Sequence, residues 1–251
     1  MEDYTQRFTG RADAYSKYRP TYPQGVLDVL KEKIHFDSSK IVADIGSGTG
    51  ILSKLFLEHG NRVFGVEPNA DMRNKAESSL AGFPNFINVN GTAENTTLKD
   101  RSVDLISIGQ ALHWFDPVKS WKEFGRIMNQ SGWLCVLYND RKSENDSGIM
   151  KNYESLVKKY SRNRPRMERI EDDALCKFFP TWVFEKYLLP NEQTLDFEGL
   201  IGRLSSASYM PQPEEDQFLS IKNEIKEIFD KYQVDNKITL FYVTNIFLGK
   251  I

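Results

Sequence analysis

Residues 41–50 read Ile-Val-Ala-Asp-Ile-Gly-Ser-Gly-Thr-Gly, and residues 51–60 continue Ile-Leu-Ser-Lys-Leu-Phe-Leu-Glu-His-Gly. The first six form a short apolar run that ends in glycine, as a buried strand does. Ile51, Leu52, Leu55 and Phe56 then fall at helical spacing, and Gly60 provides a stop. A strand, a glycine turn and a helix are therefore expected, with Gly46, Gly48 and Gly50 letting the backbone turn and approach a ligand closely.

Working outward, residues 62–67 (RVFGVE) are strand-like and residues 69–80 (NADMRNKAESSL) helical. Strands are expected at 85–91, 103–109 and 133–138, and a helix at 117–129 on Val118, Trp121, Phe124, Ile127 and Met128. Strands apolar on both faces and alternating with helices belong to a mostly parallel sheet. Right-handed crossovers make that sheet doubly wound. After residue 140 the alternation breaks. Helices are expected at 147–162, 197–207 and 214–232, and a strand at 182–189. The final segment KITLFYVTNIFLGKI, apolar on both faces, reads as a strand interior to the sheet. Segments 10–34 and 141–180 are expected over the carboxyl ends of the strands, where open α/β sheets bind ligands.

The glycine pattern is Asp44-x-Gly46-x-Gly48-x-Gly50, and Glu67 closes the next strand. A dinucleotide fingerprint has G-x-G-x-x-G and sets a pyrophosphate on a helix N-terminus. Here the spacing is G-x-G-x-G and an acid precedes it. A carboxylate at Asp44 suits a ligand with an amino group and a sulfonium, and Glu67 can accept both hydroxyls of a ribose. Spacing and charge together favour S-adenosylmethionine over NAD.

With these residues in view, positions 40–140 resemble a class I S-adenosylmethionine-dependent methyltransferase domain. Asp44, Gly46, Ser47, Gly48 and Gly50 resemble the family's first motif. Glu67, Pro68, Asn69 and Met72 resemble the second, in which the acid takes the ribose and its neighbours flank the adenine. Gly91-Thr92-Ala93-Glu94 resembles a stretch whose acid accepts from the adenine amino group, so Ala93 and Glu94 join the cofactor set. Gln110-Ala111-Leu112-His113-Trp114-Phe115 resembles the segment beside the methionine part of the cofactor, which adds Gln110 and Ala111. The resemblance implies a Rossmann-like α/β fold. Its sheet is seven-stranded, doubly wound and mostly parallel, with an antiparallel C-terminal strand and a helical lid over the strand ends. Residues 1–140 would hold an N-terminal lid segment plus the cofactor core. Residues 141–251 would hold helical acceptor-site insertions and the last strands of the same sheet.

The stretch Tyr15-x-x-Tyr18-Arg19-Pro20-x-Tyr22-Pro23 is similar to a subgroup that includes trans-aconitate-type methyltransferases, which act on small carboxylic acids. Tyr15, Tyr18 and Tyr22 read as an aromatic lid or as a bracket holding the N-terminal helix, which Pro20 and Pro23 end near Tyr18. Arg19 can pair with a substrate carboxylate or a structural acid. Trp114 reads as pocket wall. His113 is the one histidine near the expected methyl group, a general base or a packing residue. Tyr138, Tyr209 and Met210 are further acceptor-side candidates.

The 251 residues carry 33 basic and 35 acidic side chains, which gives no global attraction to nucleic acid. The basic run from Lys158 to Arg166 could touch RNA phosphates, but Glu168, Glu171, Asp172 and Asp173 follow it. Two cysteines (Cys135, Cys176) and three scattered histidines give no metal-ligand spacing. No apolar stretch approaches the ~18 residues of a membrane span, and no signal core opens the chain. The expectation is a metal-free cytoplasmic enzyme that transfers a methyl group to a small molecule such as a carboxylic acid. An RNA or protein methyltransferase and a non-catalytic S-adenosylmethionine-binding protein are the alternatives.

Overall fold

A computed structural model of the chain describes residues 10, 12–141, 148–162, 175, 179 and 181–251. Along them run α1 (Ala12–Tyr18), α2 (Gly25–Ile34), β1 (Ile41–Ile45), α3 (Ile51–Glu58), β2 (Arg62–Val66), α4 (Ala70–Ser79), β3 (Phe86–Val89), β4 (Val103–Gly109) and α5 (Pro117–Ile127). There follow β5 (Met128–Arg141), α6 (Ile149–Tyr160), β6 (Val183–Leu195), α7 (Phe197–Ser205), α8 (Gln217–Tyr232) and β7 (Ile238–Lys250).

The strands form one seven-stranded sheet in the order β3-β2-β1-β4-β5-β7-β6. Pairings from β3 through β5 are parallel, and β7 runs antiparallel to both β5 and β6. The fold is thus the α/β, Rossmann-like one expected, with its last strand inside the sheet. Alternation along each strand feeds two cores. Ile45, Ile106, Val136 and Phe247 face one side, toward Phe124 of α5 and Phe179. Val42, Leu105, Leu137 and Ile246 face the other, against Val26 and Leu30 of α2 and Leu55 and Phe56 of α3. Burial on both faces explains why these strands read as continuous apolar runs.

A third cluster stands apart from both. It joins Tyr153 and Val157 of α6, Leu200 and Leu204 of α7, and Ile221 and Ile225 of α8 to the first half of β7 through Leu240 and Tyr242. These helices make the lid. The segment 10–34 divides, against expectation. Helix α1 packs Tyr18 on Gly202 of α7, whereas Tyr22 and the apolar stripe of α2 pack on the sheet and Gly25 sits against Leu189. Of the segment 141–180, α6 lies in the lid. Residues 142–147, 163–174, 176–178 and 180, which include Cys176 and the second half of the basic run with its following acids, lie outside the described residues.

Two strands exceed their sequence signal. β5 continues through Arg141 because β7 pairs with it to Tyr242, and β6 continues past Pro190 to Leu195. Pro190 is tolerated because β6 is the sheet edge, where a missing N–H donor costs no ladder bond. No helix among the described residues is long and apolar enough to cross a membrane.

Candidate cofactor and acceptor site

The turn after β1 is built from left-handed glycines: φ is +69° at Gly46, +56° at Gly48 and +83° at Gly50. A Cβ on Gly46 would lie 2.6 Å from that of Ala111, while one on Gly48 would meet nothing within 4 Å. The loop is therefore closed on the protein side and open on the other. Gly50 has a separate task. It caps α3, and a Cβ there would strike Leu80 at 2.6 Å.

Two cavities meet at this turn. The first spans about 890 Å³, part of it open to solvent, and is lined by Asp44, Gly46, Ser47, Gly48 and Gly109 together with Tyr15, Arg19, Tyr22, Arg141, Glu154, Arg203 and Tyr209. The second, about 840 Å³, lies among Glu67, Pro68, Asn69, Met72, Ala93, Glu94, Ala111 and Trp114. Tyr15, Gly46, Gly48, Gly109 and Gln110 line both.

Asp44 is buried at the base of the first cavity. Its carboxylate accepts from the hydroxyls of Ser53 at 2.6 Å and Ser107 at 3.3 Å. Burial outweighs these bonds and raises its pKa to about 6. Glu67 ends β2. Its Oε1 accepts from the Asn69 amide at 2.9 Å and its Oε2 from the Gly48 amide at 3.0 Å. Burial raises its pKa as well. A carboxylate has about four acceptor positions, so each oxygen keeps room for one more donor. That capacity matches the two hydroxyls of a ribose. The Ser47 and Thr49 hydroxyls are buried and find no hydrogen-bond partner among the described residues. The acidic pair, the open face of Gly48 and these hydroxyls fit a nucleoside that also carries an amino group.

Other residues are fixed by local needs. Asn69 caps α4 by accepting from the Met72 amide at 3.0 Å. Glu94 accepts from the Asp116 amide at 2.8 Å, which ties the 91–96 loop to the start of α5. Gln110 adopts φ +58°, an uncommon state for a side chain with a Cβ, and its amide donates to the Asn139 carbonyl at 3.2 Å. The segment after α1 is pinned from three sides. Gln193 donates to the Tyr18 carbonyl at 3.0 Å, Asn191 to that of Thr21 at 2.8 Å, and Arg19 to that of Ser206 at 2.9 Å.

The structure redistributes several residues singled out in the sequence. Tyr18 leaves the cavity and packs its ring on Gly202 of α7. Trp114, expected on the acceptor side, lines the second cavity. His113 is not among the residues lining either cavity, and its ring lies 4.5 Å from that of Trp114. Of the acceptor-side candidates Tyr209 lines the first cavity, whereas Tyr138 and Met210 are buried in the cores and line neither. Sequence reasoning missed Asn139, Asp140, Arg141, Glu154 and Arg203. A charged residue at a strand end or on an amphipathic helix carries no signal of what the tertiary fold sets opposite it.

Residues 43–136 match the family model of the methyltransferase domain. An uncharacterized methyltransferase of Mycobacterium tuberculosis is 33% identical over 139 residues, which are 55% of this chain and 54% of that protein. The chain thus spans about half the length of that relative. An uncharacterized methyltransferase-like protein of Schizosaccharomyces pombe is 25% identical over 93% of this chain and 91% of its own. The fold is shared with a type II methyltransferase candidate from Anaeromyxobacter dehalogenans, with TM-score 0.70 and 20% identity over 93% of this chain and 98% of that one. Residues 43–136 are thus similar to a methyltransferase domain, and the whole chain shares the fold of that neighbour.

Proposed function

We propose that the whole chain is an S-adenosylmethionine-dependent methyltransferase whose acceptor is a small molecule of the carboxylic acid class, as in the trans-aconitate-type subgroup it resembles. The observation that carries this reading is the shared wall of Tyr15, Gly46, Gly48, Gly109 and Gln110 between the two cavities. A nucleoside in the second cavity would meet Glu67 at its ribose, with Pro68, Met72, Ala93 and Glu94 around its base. The methionine part would pass Gln110 and reach the Gly46–Gly48 turn, with Asp44 beneath its amino group. S-adenosylmethionine supplies, when bound, an electrophilic methyl carbon on a sulfonium.

The chain's own part is then to hold a nucleophile in line with that carbon in the first cavity. Such positioning alone can contribute up to roughly 7–11 kcal/mol. A carboxylate nucleophile has no proton to lose, which accords with the place of His113 outside the cavity lining. A cavity lined by Tyr15, Arg19 and Tyr22 together with Glu154 of α6 and Arg203 of α7 suits a small acceptor better than RNA. The described part of the basic run also argues against RNA: Lys159 pairs with Glu224 at 2.7 Å and Arg162 pairs with Glu215.

The test is incubation with methyl-tritiated S-adenosylmethionine and a panel of mono- and dicarboxylic acids, with total RNA and a protein extract in parallel. Label in base-labile small esters is expected. Label confined to the macromolecular fractions would overturn the acceptor class.

A further inference from the structure

Arg203 lies in the last turn of α7, is 3% exposed, and yet lines the first cavity. Its Nε donates to the Tyr242 hydroxyl at 3.2 Å. Among the described residues its two terminal nitrogens donate to no protein group, and no carboxylate forms an ion pair with it. The neighbouring guanidinium differs. Arg141, at the end of β5, holds Glu154 of α6 at 3.0 Å, with both side chains about nine-tenths buried. Arg141 and Glu154 pair with each other, so among the described residues no carboxylate forms an ion pair with Arg203.

Burying a guanidinium in that state is strongly unfavourable unless something completes it. Arginine cannot escape by losing its proton, because it stays charged at any accessible pH. Its planar fork matches the two oxygens of a carboxylate.

We infer that Arg203 anchors a carboxylate of the methyl acceptor, and that the methyl group goes to a different group of the same molecule. The inference rests on the proposed methyltransferase reading and adds to it the residue that selects the acceptor. A carboxylate gripped by a guanidinium through both oxygens is a poorer nucleophile, so the anchored group is not the one methylated. Arg203 and Glu154 line the cavity from α7 and α6, and the Gly46–Gly48 turn lines it from the end of β1. An acceptor held by Arg203 therefore bridges these two sets of residues. It carries an anionic end for Arg203 and a second, nucleophilic end.

The experiment measures binding of succinate and benzoate to the full chain loaded with S-adenosylhomocysteine, against succinamide and benzamide as uncharged isosteres and inorganic phosphate as a dianion. The carboxylates are expected to bind at least tenfold more tightly than their amides and than phosphate. R203Q should lose at least tenfold for carboxylates, and R203K, which keeps the charge without the fork, should fall between. Affinity for S-adenosylhomocysteine should stay within twofold in both variants, which also shows that they fold. Equal carboxylate binding by wild type and R203Q would overturn the inference, as would carboxylates binding no better than amides. Loss of S-adenosylhomocysteine in a folded R203Q would assign Arg203 to the cofactor's own carboxylate and overturn it too. Failure of the wild-type chain to bind S-adenosylhomocysteine would instead sink the methyltransferase reading on which the inference rests.

Discussion

A Cβ placed on Gly46 would stand 2.6 Å from the Cβ of Ala111, closer than two carbons can pack. The end of β1 and the turn after β4 are thus in contact through the one position where a side chain is impossible. Gly46 also has φ +69°, which costs about 1–2 kcal/mol for a residue with a Cβ. Gly46→Ala is expected to push the two loops apart and widen the shared wall of both cavities. Affinity for S-adenosylmethionine should fall by about tenfold or more, read by calorimetric titration. An unchanged affinity would mean that this wall does not shape the cofactor site.

Burial lifts Asp44 to about 6 from an ordinary value of 3.8. The folded free protein therefore holds the proton more tightly than the unfolded chain. This group's contribution to stability is full below pH 3.8 and is lost as pH rises through about 6. A ligand amino group beside it reverses the preference and favours the carboxylate. Affinity for S-adenosylmethionine should rise between pH 5 and 7, with up to about one proton released per cofactor near the lower end. Titrations in buffers of different ionisation enthalpy count that proton. Asp44→Asn should flatten the profile, and a pH-independent affinity in the wild type would remove Asp44 from the cofactor.

Tyr18 and Gly202 couple the N-terminal helix to the lid. A Cβ on Gly202 would fall within 2.2 to 2.5 Å of the Tyr18 ring. Gly202→Ala should cost about 1–3 kcal/mol through overpacking, seen as a lower unfolding midpoint in denaturant. Neither Tyr18 nor Gly202 lines a cavity, so cofactor affinity should fall less than stability does. A variant as stable as the wild type would show that α1 is not held by α7.

His113 is a test of what the cavity needs. Removing a general base lowers turnover by about 10²–10⁴. Because His113 packs on Trp114 and is not among the cavity-lining residues, His113→Gln should keep turnover within about fivefold once an acceptor is in hand. A hundredfold loss with an altered pH–rate profile would restore the base role.

The features legible in the sequence are those encoded locally. Residues 41–60 announce β1, the glycine turn and α3, and Asp44 and Glu67 fall at strand ends where open sheets bind ligands. The seven-stranded, mostly parallel sheet and the interior position of its last strand followed from the resemblance and the two-faced apolar pattern of that segment, whereas the strand order came only with the structure. What stayed hidden is non-local. Pro190 punctuates the sequence signal, yet β6 runs through it because an edge strand can spare the donor. Tyr18 shares its helix with Tyr15, and only the position of Gly202 decides that it faces α7. Arg141, Glu154 and Arg203 come from three elements separated by tens of residues, so no spacing rule could group them.

The central claim is that the joined cavities hold S-adenosylmethionine. Isothermal titration of one purified sample with S-adenosylmethionine, S-adenosylhomocysteine and NAD tests it most directly. The account predicts binding of both sulfur nucleosides and none of NAD. Binding of NAD alone, or of none of the three, would contradict it.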